Sequence, residues 1–246
     1  MRRFGLIGKS LDHSFSPGYF AEKFFREGIE DSEYLSYPLD DLDDFDLWIE
    51  KTALEGFNVT IPYKEEIMGW LDTLQAEAGE IGAVNCVLRQ EDRLIGYNTD
   101  IQGIEHSLDL MGQKFGYAVI LGTGGASKAV RYVLEKRGIQ LLQVGRDPVR
   151  SDVLFNDLGL ADILEADLLV NCTPLGTFPE VDGFPPVPYD AIHEGQWLFD
   201  LVYNPEQTKF LKYGGARGAR TLNGLPMLIA QAEASWNIWN SNESSR

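Results

Sequence analysis

Tyr117-Ala118-Val119-Ile120-Leu121-Gly122-Thr123-Gly124-Gly125-Ala126-Ser127 decides the fold of this chain. An apolar run ending directly in glycines predicts a strand buried on both faces that stops in a tight turn. An amphipathic stretch follows over residues 128–137, and Gly138 is placed to cap it as a helix. Residues 139–144 form another apolar strand, and 168–171 and 197–202 read the same way. Strand and helix alternating at this spacing predict an α/β domain with a parallel, doubly wound sheet.

The glycines carry chemistry as well as shape. A glycine-rich turn between a strand and a helix lets the backbone approach a pyrophosphate, which then meets the free N–H groups of the helix. Gly122, Gly124, Gly125, Ala126 and Ser127 are therefore candidate cofactor residues, with Ser127 standing where a third glycine is usual. A site for NAD wants an acid about 20 residues on, for the ribose 2′-hydroxyl. Here the next strand ends Val144-Gly145-Arg146-Asp147-Pro148-Val149-Arg150. Arg146 and Arg150 suit a 2′-phosphate and favour NADP, whereas Asp147 leaves NAD open. Between residues 122 and 150 six bases face two acids. Of these bases, Lys128, Arg131 and Lys136 read as the solvated face of a helix.

The first hundred residues have a different texture. Residues 4–7 form a short buried strand stopped by Gly8, and 17–26 a helix with Pro17 in its first turn. Over 39–49, Leu42, Phe45, Trp48 and Ile49 interleave with five aspartates, predicting a helix with a solvated acidic face rather than a metal cluster. Three segments, 56–64, 82–86 and 96–100, are expected to end strands in amides and hydroxyls. With one lysine, Lys64, and one aspartate, Asp100, they suit a pocket for a polyhydroxylated ligand. The pattern changes near residue 101. Residues 227–239 are helical by spacing, and 240–246 are a polar tail.

Composition narrows the partners. Among 246 residues, 21 Lys+Arg against 38 Asp+Glu leave a net charge of −17. A field of that sign repels phosphate backbones and anionic lipid, which disfavours nucleic acid and membrane surfaces. Two cysteines, Cys86 and Cys172, form no C-x-x-C pair, which fits a reducing compartment and offers no metal site. No apolar run suits a signal peptide or a membrane span, so a cytoplasmic protein is expected.

Together the segments resemble the shikimate dehydrogenase family along nearly the whole chain. The resemblance rests on Ser14-Phe15-Ser16-Pro17 after His13, the 58–64 segment Asn-Val-Thr-Ile-Pro-Tyr-Lys, Gly82-Ala83-Val84-Asn85 and the 98–103 segment Asn-Thr-Asp-Ile-Gln-Gly. It continues through residues 122–127, Asn171-Cys172-Thr173-Pro174-Leu175-Gly176, and Asp200-Leu201-Val202-Tyr203-Asn204-Pro205 with Thr208. Asn223-Gly224-Leu225-Pro226-Met227-Leu228 and Gln231 close the series.

Such a resemblance implies a two-domain enzyme that reduces 3-dehydroshikimate to shikimate with NADPH, as a monomer or homodimer. Residues 1–101, completed by a C-terminal helix at 225–246, would bind substrate, and 102–224 would form a Rossmann-like NADP domain. Ser14 and Ser16, helped by Tyr203, would take the substrate carboxylate. Thr60, Lys64, Asn85, Asp100 and Gln231 would hold the ring hydroxyls. The residues of the 122–127 turn, Arg146 and Arg150 would bind the cofactor phosphates, with Thr173 and Gly224 near the nicotinamide. Lys64 would donate the proton as charge develops on the carbonyl oxygen, and Asp100 would keep it in register. His13 would support the serine loop, and no metal is implied. Departures from the family pattern are Ser10-Leu11 for Pro-Ile, Gly145-Arg146-Asp147 for Asn-Arg-Thr, Pro226 and Thr177 near the nicotinamide, and a shorter chain. An NAD-using quinate/shikimate dehydrogenase and a binding module without catalysis are the alternatives. Intact Lys64 and Asp100 argue against the latter.

Overall fold

The computed structural model describes residues 1–12 and 14–241; His13 and the tail 242–246 lie outside the described residues. Two compact units are formed, one from Met1–Thr99 with the stretch beginning at Ala232, the other from Asp100–Gln231.

The first unit contains β1 (Arg2–Gly8), α1 (Phe15–Glu27), β2 (Ser32–Pro38), α2 (Phe45–Thr52), β3 (Gly56–Val59), β4 (Thr73–Leu74), α3 (Ala76–Ile81), β5 (Cys86–Gln90) and β6 (Arg93–Tyr97). Its sheet runs β2-β1-β3-β5-β6-β4. Strands β1, β2 and β3 are parallel, and β5 is antiparallel to both neighbours. Period-two alternation divides the apolar residues between two cores. Ile7, Phe57, Val59 and Val87 join Phe45 and Ile49 of α2 on one face. Phe4, Leu6, Cys86 and Leu88 join Phe20 and Phe24 of α1 on the other, together with Ala232 and Trp239. The expected helix over 39–49 begins only at Phe45. Asp40, Asp41, Asp43 and Asp44 precede it in an exposed turn, where the Asp41 carboxylate accepts the Asp43 N–H at 3.1 Å. A local side-chain bond of this kind competes with helix and delays its start.

The second unit contains α4 (Asp100–Met111), β7 (Tyr117–Leu121), α5 (Gly125–Lys136), β8 (Gln140–Gly145), β9 (Val153–Leu154), α6 (Leu160–Leu164), β10 (Leu168–Asn171), β11 (Trp197–Asp200), α7 (Lys209–Ala216) and β12 (Arg220–Leu222). All five pairings are parallel, in the order β12-β11-β10-β7-β8-β9. Counting from β7, that is the 3-2-1-4-5-6 order of the doubly wound dinucleotide fold, with its switch point between β7 and β10. The predicted parallel sheet is therefore present, with β10 ending at Asn171 as expected. The last helix, α8 (Leu225–Asn240), is divided between the units at Gln231/Ala232.

In the first unit, α8 is fastened to α1 by buried charge. Lys23 Nζ lies 2.9 Å from both Glu233 and Glu27, and the Tyr19 hydroxyl also donates to Glu233. Trp239 closes the seam: its indole N–H donates to the Val87 carbonyl at 3.0 Å, and its ring stacks on Phe4. A Cβ on Gly56 would fall 2.4 Å from that indole. Gly56→Ala is therefore expected to lower stability by about 1–3 kcal/mol through overpacking. Urea denaturation of the purified variant checks this, and an unchanged midpoint would contradict the seam.

Candidate active site

Polar groups of the first unit gather at one edge of its sheet. Because β5 runs antiparallel to β3 and β6, its start lies level with their ends. Asn85 therefore precedes a strand rather than ending one, yet it reaches the same edge as Thr60. The Asn85 carbonyl accepts the Val59 N–H at 2.9 Å, and the Lys64 carbonyl accepts the Val84 N–H at 2.7 Å. These two backbone bonds bring Thr60, Lys64 and Asn85 together. Gly8 is needed beside them, since a Cβ there would meet Thr60 Cγ2 at 2.5 Å.

Beneath this edge runs a buried hydrogen-bond network. Asn58 Oδ1 accepts the Tyr34 hydroxyl at 2.9 Å, while its Nδ2 donates to the Asn85 carbonyl and to Ser235 Oγ of α8. Ser16 hydrogen-bonds Tyr34, so the first turn of α1 joins the same network. Thr99 offers its N–H and its hydroxyl to Asn85 Oδ1, at 2.6 and 3.1 Å. That fixes the orientation of the Asn85 amide. Ser14 is the N-cap of α1, its own N–H bonded to the Leu11 carbonyl. Burial pushes the Cys86 thiol up to about 12, which keeps it neutral among these groups.

In the second unit the glycine turn has the predicted form. Gly122 has φ +112°, and a Cβ there would press on the backbone of Cys172 at 3.1 Å, so only glycine fits. Gly124 is the N-cap of α5, and Ser127 Oγ returns a bond to the Gly124 carbonyl at 2.6 Å. Ser127 thus replaces the third glycine as a small residue tied into the turn. Beside it lies a cleft of about 330 Å³ lined by Thr123, Ser127, Lys128, Arg131, Gln143 and Arg150. Lys128 and Arg131, expected as part of a solvated helix face, line this cleft from the first two turns of α5. Arg146 is exposed at the end of β8 and does not line it. The Asp147 carboxylate accepts the Val149 N–H at 2.9 Å, inside its own turn.

A second polar centre sits across the switch point, where β10, β11 and β12 end. Asp200 accepts from Asn171 Nδ2 at 2.9 Å, from the Val202 N–H at 3.0 Å and from the Thr208 hydroxyl at 2.5 Å. Asn171 in turn holds Thr173 by its N–H and its hydroxyl. The Gly224 N–H meets the Val202 carbonyl at 3.1 Å, and a side chain at 224 would collide with Leu201. Thr173, Tyr203 and Gly224 are gathered in this way. Asp100 is the buried first residue of α4, and Gln231 is buried on α8. No cluster of His, Cys, Asp and Glu among the described residues is arranged to hold a metal, and no described helix is long and apolar enough to cross a membrane.

The chain matches known proteins along nearly its whole length. Residues 6–87 match the family model of the shikimate dehydrogenase substrate binding domain. A shikimate dehydrogenase (NADP(+)) of Moorella thermoacetica is 36% identical over 97% of this chain and 88% of its own. The crystal structure of shikimate dehydrogenase 1 from Peptoclostridium difficile superposes with a TM-score of 0.87 at 39% identity, covering 98% of this chain and 92% of that one. Shikimate 5-dehydrogenase from Thermus thermophilus, in complex with NADP(H) and shikimate, gives 0.88 at 33% identity, covering 98% and 94%.

The chain belongs to the shikimate dehydrogenase family.

Motif reading misses two groups that organise a shikimate dehydrogenase site of this form. Tyr34 and Ser235 touch none of the motifs in sequence, yet they anchor Asn58 and Ser16. Ser235 alone left a trace: it occupies a core-facing helical position between Ala232 and Trp239, where an apolar residue is usual. Asp200, quoted only as part of a motif, proves to be a fully buried carboxylate, and burial pushes it up from 3.8 to about 6 against its three hydrogen bonds.

That shift has a sign. Between pH 4 and 6 the folded protein keeps a proton that the unfolded chain has released, so this group costs stability as pH rises through that window. Asp200→Asn is uncharged and close in shape. Its stability relative to the parent is expected to improve across that window by on the order of 3 kcal/mol and then level off. Urea midpoints of both proteins at pH 4, 5, 6 and 8 test this, and a difference independent of pH would remove the buried charge from the account.

Proposed function

We propose that this protein catalyses the reversible NADPH-dependent reduction of 3-dehydroshikimate to shikimate, with the first unit binding substrate and the second binding cofactor. One observation carries the reading: Ser16, Thr60, Lys64 and Asn85 converge on a single sheet edge in a chain of this family. The fit to NADP rests on the Gly122 turn, the α5 N-terminus and the basic cleft beside them. Gly122, Gly124, Gly125, Ala126 and Ser127 hold the pyrophosphate, Arg150 in the cleft and Arg146 at the exposed end of β8 serve the cofactor phosphates, and Thr173 and Gly224 flank the nicotinamide. The two unpaired cysteines suit a reducing cytoplasm.

Bound NADPH supplies a hydride to the carbonyl carbon of the substrate. The chain does the rest. Ser14 and Ser16, with Tyr203, orient the carboxylate by hydroxyl hydrogen bonds, and Thr60, Asn85 and Gln231 hold ring hydroxyls. As charge builds on the carbonyl oxygen, the Lys64 ammonium stabilises it and then gives it a proton. Asp100 orients Lys64 and the reacting hydroxyl, so that proton and hydride transfer are aligned. In the oxidative direction neutral Lys64 takes the proton back.

Lys64→Ala is expected to lower kcat by about 100-fold or more with little change in KM for shikimate, the range for loss of a general acid. Near-parental turnover would remove Lys64 from that role. Initial rates with shikimate and with quinate, each against NADP+ and NAD+, decide the substrate and cofactor. A preference for quinate with NAD+ would favour the quinate/shikimate alternative, and no turnover with any pair would favour a binding module.

A further inference from the structure

Arg131 stands in the second turn of α5 and lines the 330 Å³ cleft. We propose that Arg131 is a specificity-determining residue of this enzyme, binding together with Arg150 and Lys128 the 2′-phosphate that distinguishes NADP from NAD. The proposal rests on the NADP-linked activity argued above and adds a residue that helical spacing alone places on a solvated face.

Position comes first. The cleft lies where the glycine turn, the start of α5 and the end of β8 meet, which is where a dinucleotide fold presents the adenosine ribose. Its size, at the small end of the roughly 300–1,000 Å³ range of ligand sites, suits that one end of the cofactor rather than the whole. Arg131 follows Ser127 by four residues and Lys128 by three, so on the helix surface its side chain neighbours both.

Charge comes next. Three of the six lining residues are cationic and none is acidic. Asp147, the acid best placed in sequence to favour a bare 2′-hydroxyl, does not line the cleft and spends its carboxylate on the Val149 N–H. Arg131 is itself held by two acids. Its Nε lies 2.9 Å from Glu135, and its Nη1 lies 3.7 Å from Asp152, whose carboxylate also accepts the Gln143 N–H of β8 at 2.8 Å. The guanidinium is thereby held between its own helix and the Asp152 carboxylate bonded to β8, with donors to spare among its five N–H groups. Stability alone explains this poorly, since a side chain that is 41% exposed gains little from such pairs. A planar, preoriented guanidinium facing a basic cleft is what a phosphate requires.

The test uses the whole protein and two small probes, adenosine 2′,5′-bisphosphate and adenosine 5′-monophosphate, titrated calorimetrically. The parent is expected to bind the bisphosphate more tightly. Arg131→Gln should lose about 10-fold or more of that affinity while its binding of the monophosphate changes by less than about twofold. In initial rates the ratio of KM for NADP+ to KM for NAD+ should rise by a similar factor. Lys136→Ala removes one charge from the same helix away from the cleft and should leave both the preference and the ratio in place. An equal loss for both probes in Arg131→Gln, or an equal effect of Lys136→Ala, overturns the proposal. So does a parent that shows no preference for the bisphosphate, even if it reduces 3-dehydroshikimate with NADPH. If the preference depends on Arg131 but shikimate is not oxidised, the assigned substrate fails and the phosphate site stands.

Discussion

The polar edge of the first unit depends on one buried carboxamide. Asn58 is 4% exposed and sits on β3, flanked by apolar Phe57 and Val59. Its oxygen takes the Tyr34 hydroxyl and its nitrogen serves the Asn85 carbonyl and Ser235. A buried amide is tolerated only when its groups are paired, and an unpaired one costs about 1–3 kcal/mol. Each partner is therefore held to its place by Asn58 as much as it satisfies Asn58. Those partners lie on β2, on the segment before β5 and on α8. Through them the constraint reaches Ser16 and Asn85, so a buried amide sets the spacing of groups proposed to meet the substrate.

The second unit solves a similar problem with a charge. Asp200 ends β11 and joins Asn171 at the end of β10 to Thr208 at the start of α7. Three donors favour its carboxylate form, but burial opposes it more strongly. An amide at this position would avoid that cost and keep part of the geometry. What a carboxylate adds is two equivalent acceptor atoms, one for Asn171 and the Val202 N–H, the other for Thr208. Neutral Asp200 at low pH loses acceptor capacity toward these partners. Cys172 and Tyr189 are the other titrating groups that feel this carboxylate, and both stay neutral well beyond that range because burial raises them. The pH dependence near 6 therefore belongs to Asp200 alone among these three.

Much of this was legible in the letters, and the reasons are physical. Parallel strands buried on both faces leave uninterrupted apolar runs, so residues 168–171 could be bounded from sequence alone. The Gly122 turn was legible because only glycine satisfies both its φ and its contact with Cys172. Residues 39–44 depart from the helix their spacing predicts because an alternation of leucine and aspartate fits a helix period, while the Asp41 side chain bonds the backbone ahead and holds off the helix. Asn85 was placed at the wrong end of its strand because strand direction leaves no mark on local composition. The place of Arg131 in the cleft wall is hidden from the sequence for a similar reason. Helical spacing reveals which residues share a face, but not whether that face looks onto water or onto a cleft made by a strand ten residues away.

Net charge also acquires a different meaning once the residues have places. A chain at −17 that binds an anionic substrate and a cofactor rich in phosphate must separate the two scales of its electrostatics. At physiological ionic strength the Debye length is about 8 Å, so exposed acids beyond that range are largely screened from the ligand. What a phosphate feels is its immediate surroundings: the Gly124 and Gly125 turn, the N–H groups opening α5, and the cations lining the cleft. Glu135 and Asp152 lie within that range, and each is engaged with Arg131. Their effect is to orient a guanidinium rather than to repel a phosphate outright. The acidic surplus then favours solubility and partner rejection, while a short basic segment, residues 122–150, carries the attraction. The proposed pairing of the substrate carboxylate with serine hydroxyls rather than with arginine fits the same division. It is held by orientation, which leaves Lys64 as the cation among the side chains assigned to the substrate and concentrates positive charge where the carbonyl oxygen becomes negative.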